Sequence, residues 1–201
     1  VVQYIVKAAL IIGFTLFNLR GIKEIGILST VLSILVVLAF GGVTVVGFIY
    51  GDTNPVEPFM PEGQSLIESL GVGLAIGMWM YSGFASVTTI SGELENPKTM
   101  GKGILIALPV VIITYMLPTL ASLSAAGPWD AWGTEGVSYG DVLALVSPAL
   151  KVAFVFVAII ASLSIYNAYI STGSRVFFVM AADGTAPKAL TKCNKNGVPV
   201  L

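Results

Sequence analysis

Residues 25–50 read IGILSTVLSILVVLAFGGVTVVGFIY, and this stretch decides the fold. It contains no charged side chain. As an α-helix it would extend about 39 Å, more than the roughly 30 Å hydrocarbon layer of a bilayer. Strands rarely exceed about ten residues, so a sheet reading fails on length. Its apolar residues run all round a helix, so the helix must be buried in a large core or in lipid. Composition chooses lipid. The chain of 201 residues is 56% hydrophobic and 10% charged, where a soluble domain carries about a quarter charged residues. A water-soluble helical bundle would lack the charge to cover its own surface. The expected fold class is therefore all-α, a polytopic membrane protein.

Four further segments have the same character: 1–17, interrupted by Gln3 and Lys7, then 65–91, 103–125 and 149–180. Together with 25–50 they form one expected membrane domain over 1–201, with a tail at 181–197. Val1 lies inside a helical pattern, and a new apolar run begins at Val198-Pro199-Val200-Leu201. Both ends are expected to be cuts in a longer polypeptide. The remainder of that polypeptide and the lipid bilayer are then the first partners of the chain.

The connecting segments alternate in sign. Segment 18–24 carries Arg20 and Lys23, and 95–102 carries Lys98 and Lys102. The tail side carries Arg175, Lys188, Lys192 and Lys195. Segment 51–63 carries Asp52, Glu57 and Glu62, and 126–147 carries Asp130, Glu135 and Asp141, with no base in either. Basic loops favour the cytosol, so 18–24, 95–102 and 181–197 are predicted to be cytosolic. An incorrect span count would scramble this segregation. Lys151, near the outer start of its span, is expected to snorkel to the interface. Lys7 sits about 15 Å from the cytosolic end of the first span, where a charge is a functional candidate by default.

Several function classes are excluded. The formal net charge is −1, which gives no basic footprint for nucleic acid. Histidine is absent and Cys193 is the single cysteine, so a metal site lacks its commonest ligands. No nucleophile–base set and no phosphate-cradling loop is present. The chain is not expected to be an enzyme, and no metal or cofactor is implied.

Residues 77–91, GMWMYSGFASVTTIS, follow Gly71 and Gly73 and crowd small and hydroxylated residues into the middle of a span. Irregular backbone in a membrane is tolerated only where it lines a cavity or packs on protein. The predicted interruption is at Ser82-Gly83, since a glycine there can take backbone angles that other residues resist. An open break would present free carbonyls at about Trp79 to Ser82 and free amides at about Phe84 to Val87. Mid-membrane carbonyls suit an ammonium group, which is how discontinuous helices build transporter sites. The other reading is that Gly and Ser simply permit close helix packing.

Three motifs carry a family resemblance. Tyr81-Ser82-Gly83-Phe84, followed by Ser91-Gly92-Glu93-Leu94-Glu95-Asn96-Pro97-Lys98, resembles the sixth helix and following loop of the amino acid–polyamine–organocation (APC) permeases. Ser174-Arg175-Val176-Phe177-Phe178, then Ala182-Asp183-Gly184-Thr185-Ala186-Pro187 and Gly197-Val198-Pro199, resembles the end of its eighth helix and the loop after it. Asn18-Leu19-Arg20-Gly21-Ile22-Lys23 resembles the junction of its fourth and fifth helices.

The resemblance implies two five-helix inverted repeats, of which this chain would supply helices four to eight. Function would then be secondary active transport of an amino acid by alternating access. Trp79 resembles the aromatic gate over the substrate, and the carbonyls of Trp79, Met80 and Ser82 those that hold the ammonium. Tyr81 and Gly83 complete the implied substrate-binding stretch. Ala85 stands where relatives that take cationic amino acids or polyamines often have an acid, so a neutral substrate is implied. Ser162 and Ser164 resemble sodium-site ligands of related inverted-repeat transporters. Val36 stands where some proton-coupled members carry a lysine. The coupling ion, proton or sodium, stays open. Two other functions were weighed: a polyamine or cationic amino-acid permease, and, more remotely, an ion-translocating membrane subunit of an enzyme complex.

The charge pattern yields a direct test of orientation. In a Cys193→Ser background, cysteines introduced at Asp52 or Glu135 should react with an impermeant thiol reagent applied to intact cells. Lys98→Cys should be protected, and the reverse labelling pattern would invert the assignment.

Overall fold

The computed structural model describes residues 2–19, 22–60, 63–94, 96, 98–127, 132 and 136–200. Among the described residues six α-helices follow one another: α1 Val2–Asn18, α2 Ile22–Tyr50, α3 Leu66–Met80, α4 Lys98–Ala125, α5 Tyr139–Ala144 and α6 Pro148–Ala182. A 3-10 helix, Ser82–Glu93, continues directly from α3, and a short one spans Lys188–Thr191. Among the described residues there is no β-strand, only a bridge between Cys193 and Pro199.

Four helical stretches are long and apolar enough to cross a membrane: Gly26–Tyr50, Leu66–Thr89, Lys98–Ala125 and Pro148–Ala182. The apolar helix Gln3–Asn18 is shorter. These are the five expected spans. The differences lie at the ends, where capping replaces hydropathy as the determinant. The fourth span starts at Lys98 rather than 103, because Asn96 initiates the helix. Its side-chain oxygen accepts from Lys98 N at 3.1 Å and its carbonyl from Thr99 N at 3.0 Å. At α3, Ser65 and Glu68 form a reciprocal capping box. α4 stays helical through Pro109 and Pro118. The short helix Tyr139–Ala144 lies within the second acidic loop.

The chain forms two compact units, one from Val1–Ser33, Ala85–Met100 and Ile160–Leu201, the other from Ile34–Phe84 and Gly101–Ile159. In the second unit α2 packs on α4 through small residues. A Cβ placed on Gly47 would lie 2.5 Å from the Ala121 carbonyl oxygen, and one on Gly51 would overlap Ser124 Oγ. The backbones are therefore in contact, as the small-xxx-small pattern of membrane helices allows. Just past α2, Thr53 Oγ1 donates to Ser124 O at 2.8 Å and Ser124 Oγ donates back to Thr53 O at 2.9 Å. Val43, Val142 and Leu143 form a small buried core, with Trp132, Tyr139 and Phe154 packed on it. Phe40 meets the rings of Tyr139 and Phe154 edge-on, at 5.3 and 5.4 Å.

The ammonium of Lys151 is held by Asp141 of α5, whose carboxylate also accepts from Ser138 N and Oγ at 2.9 and 2.7 Å.

In the first unit α1 and α6 meet through Phe14 and Tyr166, with ring centroids 5.8 Å apart, and through a buried amide pair, Asn18 and Asn167. The chain after α6 turns at Gly184, φ +79°, a left-handed helix terminus that favours glycine. Residues 192–200 then form a tight loop: Asn194 N donates to Val198 O at 2.9 Å and Val200 N to Lys192 O at 3.0 Å. Asn194 Nδ2 donates to Leu19 O at 2.7 Å, which caps the end of α1. Arg175, assigned by its charge to the tail side, lies inside α6 and is 4% exposed. The span simply continues past it, with its guanidinium folded back onto the Ser171 carbonyl at 2.8 Å.

Two outcomes follow from the second unit. Gly47→Val should lower the melting temperature of the purified protein by several degrees, since the Ala121 backbone cannot yield as a side chain could. Gly41→Ala, with nothing within 4 Å of its Cβ, should not. Asp141 is held below its ordinary carboxylate value, chiefly by the Lys151 hydrogen bond and then by Ser138. A depressed folded-state pKa stabilises above the unfolded value of about 3.9 and is lost as pH falls through the folded one. Asp141→Asn should thus be destabilising at pH 7, with the difference from wild type shrinking as the pH drops below about 4. Thermal unfolding across pH checks this.

Candidate functional site

α3 is apolar and carries no buried residue. It ends at Met80, and Tyr81 adopts φ −99°, ψ 5°, with its N–H still reaching Gly77 O at 3.1 Å. From Ser82 the chain tightens into the 3-10 helix Ser82–Glu93. A 3-10 run of this length is uncommon, and such stretches often mark hinges. The helix thus changes type at the predicted place.

It does not open as expected. An open break would leave the amides of Phe84 to Val87 free, but a 3-10 helix pairs them with carbonyls three residues back. The carbonyl of Trp79 is also engaged, accepting from Ser82 Oγ at 2.8 Å. Thr88 Oγ1 and Thr89 Oγ1 donate to the carbonyls of Ala85 and Ser86 at 2.7 and 2.8 Å. Gly83 has no positive φ, so the conformation at the junction does not require glycine. A side chain there would meet nothing within 4 Å. The physical reason is economy of hydrogen bonds: shifting from i−4 to i−3 pairing keeps the backbone satisfied, where a gap would not.

Trp79 is 78% exposed, while Met80 and Tyr81 are half-buried. Tyr81 is fixed by an edge-on contact with Tyr115 of α4, 5.7 Å between centroids. Ser82, Gly83 and Ala85 are exposed. From Gly77 to Ser91 no side chain is ionisable except Tyr81. What the stretch can offer chemically is a neutral surface of aromatic, hydroxyl and carbonyl groups. Ser162 and Ser164 lie on α6, in the unit built from Ile160–Leu201, Val1–Ser33 and Ala85–Met100, whereas Trp79 to Gly83 lie in the other. Among the described residues no group of His, Cys, Asp and Glu could hold a metal ion.

The first unit has a half-open pocket of about 210 Å³ lined by Thr89, Arg175, Phe178, Val179, Cys193, Gly197 and Pro199. Sequence reasoning did not find it, nor the buried Asn167. The signal for Asn167 was present: an amide within a 35-residue helix otherwise rich in apolar residues, where polar groups are costly and tend to be retained for a purpose.

The amino acid permease family model matches residues 1–201. The branched-chain amino acid permease BcaP of Lactococcus lactis is 27% identical over 97% of this chain and 43% of its own length. The D-serine/D-alanine/glycine transporter of Escherichia coli is 24% identical over 98% of this chain and 45% of its own. The gamma-aminobutyric acid permease of Bacillus subtilis is 26% identical over 98% and 44%. The chain therefore spans less than half the length of the curated relatives it matches. No solved structure matches it. With its all-α architecture, its membrane-crossing helices and a match along its whole length, the chain belongs to the amino acid permease family and is an integral, multi-pass membrane protein.

Proposed function

We propose that this chain is the central part of a secondary active transporter that moves neutral amino acids by alternating access. The observation that carries the reading is the junction at Tyr81–Ser82: a helix changes type in the middle of an apolar span, next to small polar residues and without any acid. A helix-type change supplies a hinge at mid-membrane, and alternating access needs one. Carbonyls around the junction suit the α-ammonium of a substrate once the hinge opens, with Trp79 over it as a rigid aromatic lid. In this reading Trp79, Met80, Tyr81, Ser82, Gly83 and Ala85 contact substrate, and Ser162 and Ser164 are candidates for a coupling cation.

Neutral preference rests on charge. A cationic side chain would need its own counter-charge, since burying an unpaired charge is very costly. Ala85 supplies none. The names of the relatives point the same way: branched-chain amino acids, serine, alanine and glycine, and, for the AroP protein of Salmonella typhimurium, aromatic amino acids. None of these side chains is charged. In the same reading the basic loops 18–24, 95–102 and 181–197 face the cytosol, and the remaining length of the polypeptide covers the exposed face of α3.

Uptake by the complete permease in liposomes tests the reading. Leucine, alanine or serine should compete strongly, and arginine or putrescine weakly. Gly83→Leu should reduce uptake at least tenfold, the equivalent of about 1.4 kcal/mol. It should leave membrane insertion intact, because nothing packs on Gly83 in this chain. Strong arginine uptake that Ala85→Asp leaves unchanged would overturn the assignment of that position.

A further inference from the structure

The crossing of α1 and α6 contains a polar joint that the transport reading does not use. Asn18 is 4% exposed and Asn167 0%. Asn18 Nδ2 donates twice, to Phe14 O at 2.8 Å and to Asn167 Oδ1 at 2.7 Å. This orientation is fixed by chemistry. Both neighbours are acceptors, so only the NH₂ end of Asn18 can face them. The same argument fixes Asn167, whose oxygen must face that NH₂. Each amide then has one end left over. Asn18 Oδ1 and Asn167 Nδ2 are both fully buried and have no partner among the described residues.

Such atoms carry a cost. A buried polar group without a hydrogen bond loses its hydration for nothing. An oxygen acceptor and an NH₂ donor, on two amides already bonded to each other, form a short polar neighbourhood. Its complement is a group that donates to one and accepts from the other. A metal cation fails the test, because the Asn167 NH₂ would repel it. An anion fails against the Asn18 oxygen. Water satisfies both. Buried waters typically take about three hydrogen bonds from such otherwise unsatisfied groups.

The stripe along α6 supports an interior, polar character for this face. Asn167, Ser171 and Arg175 are spaced by one turn each, and all are buried. The loop 192–200 closes over the end of α1 on the same joint, through Asn194 Nδ2 and Asn196 Nδ2, which donate to Leu19 O at 2.7 and 3.2 Å. A hydrated amide pair there would be held in place from two directions.

We propose that Asn18 and Asn167 form a structural water-binding site, in which one buried water donates to Asn18 Oδ1 and accepts from Asn167 Nδ2 and so locks the α1–α6 crossing. No covalent or proton-transfer step is involved. The two asparagines act as positioning residues, and the site is independent of which substrate is carried.

The test uses the complete permease in nanodiscs. A cryo-EM map that resolves waters should show density within hydrogen-bond distance of both orphaned atoms. A reciprocal amide–amide bond, with no such density, would overturn the proposal. A double-mutant cycle gives a second readout. Asn18→Leu and Asn167→Leu, near in shape, should each lower the melting temperature by several degrees, because each strands the groups of the other. The double variant should recover most of that loss, since removing both partners removes the buried polarity as well. Losses that simply add, or single variants that melt like wild type, would refute a shared water. Should a single variant fail to fold, the wild-type map alone decides.

Discussion

In a bilayer core no water waits to receive a backbone N–H or C=O, and every other feature of this chain follows from that constraint. It dictates helices. It also explains how the spans tolerate hydroxyl groups. Thr15, Thr30, Thr44, Thr114, Thr119 and Thr172 each donate to the carbonyl four residues back, at 2.7 to 2.9 Å. A hydroxyl that bonds its own preceding turn needs no ligand and marks no site. The constraint reaches the candidate site too. Where α3 gives way to Ser82–Glu93, the backbone exchanges one hydrogen-bonding pattern for another instead of opening. The junction is therefore a place where the helix can change, with its carbonyls already engaged.

Glycine shows how one residue type serves unlike ends. Gly47 and Gly51 let two helix backbones touch. Gly184 and Gly197 take left-handed turns, with φ of +79° and +74°. Gly83 does neither. In sequence these positions look alike, so a reading that linked Gly83 to unusual backbone angles had no means to tell them apart. The distinction depends on what lies opposite each Cβ, which is a tertiary fact.

The same division runs through the rest of what the residues disclosed. The spans were legible because hydropathy over a bilayer's thickness is a one-dimensional property, and 25–50 states it without a single charge. Span ends were less so. At the fourth span an asparagine cap set the start five residues ahead of the apolar run. Arg175 falls inside the expected span 149–180, and the neighbouring Ser171 carbonyl lets its guanidinium stay within the helix. The partner of Lys151 could not be read from sequence, since Asp141 reaches it only after α5 folds. At the candidate site, the position of the helix change could be read from Ser82-Gly83, but not its form. The choice between a gap and a 3-10 turn depends on which carbonyls find donors.

The motifs that make the family recognisable include Tyr81-Ser82-Gly83 of the proposed substrate stretch but reach well beyond it. Leu19, in the first motif, accepts from Asn194 and Asn196, which lie within the stretch that ends with the third. Thr89, between the two parts of the motif that runs from Tyr81 to Lys98, shares a cavity with Arg175, Cys193, Gly197 and Pro199. These contacts build a joint between α1, α6 and the loop after it. Relatives named for branched-chain, D-serine, gamma-aminobutyric and aromatic substrates match this chain over 96 to 98% of its length at similar identity. Similarity of that kind does not separate one substrate from another. In the proposed reading, substrate choice at the Tyr81–Ser82 junction rests on a few side chains, and Ala85 is one whose charge a single substitution can change. The family can thus be read from a partial chain, while its cargo must be argued from the electrostatics of that junction.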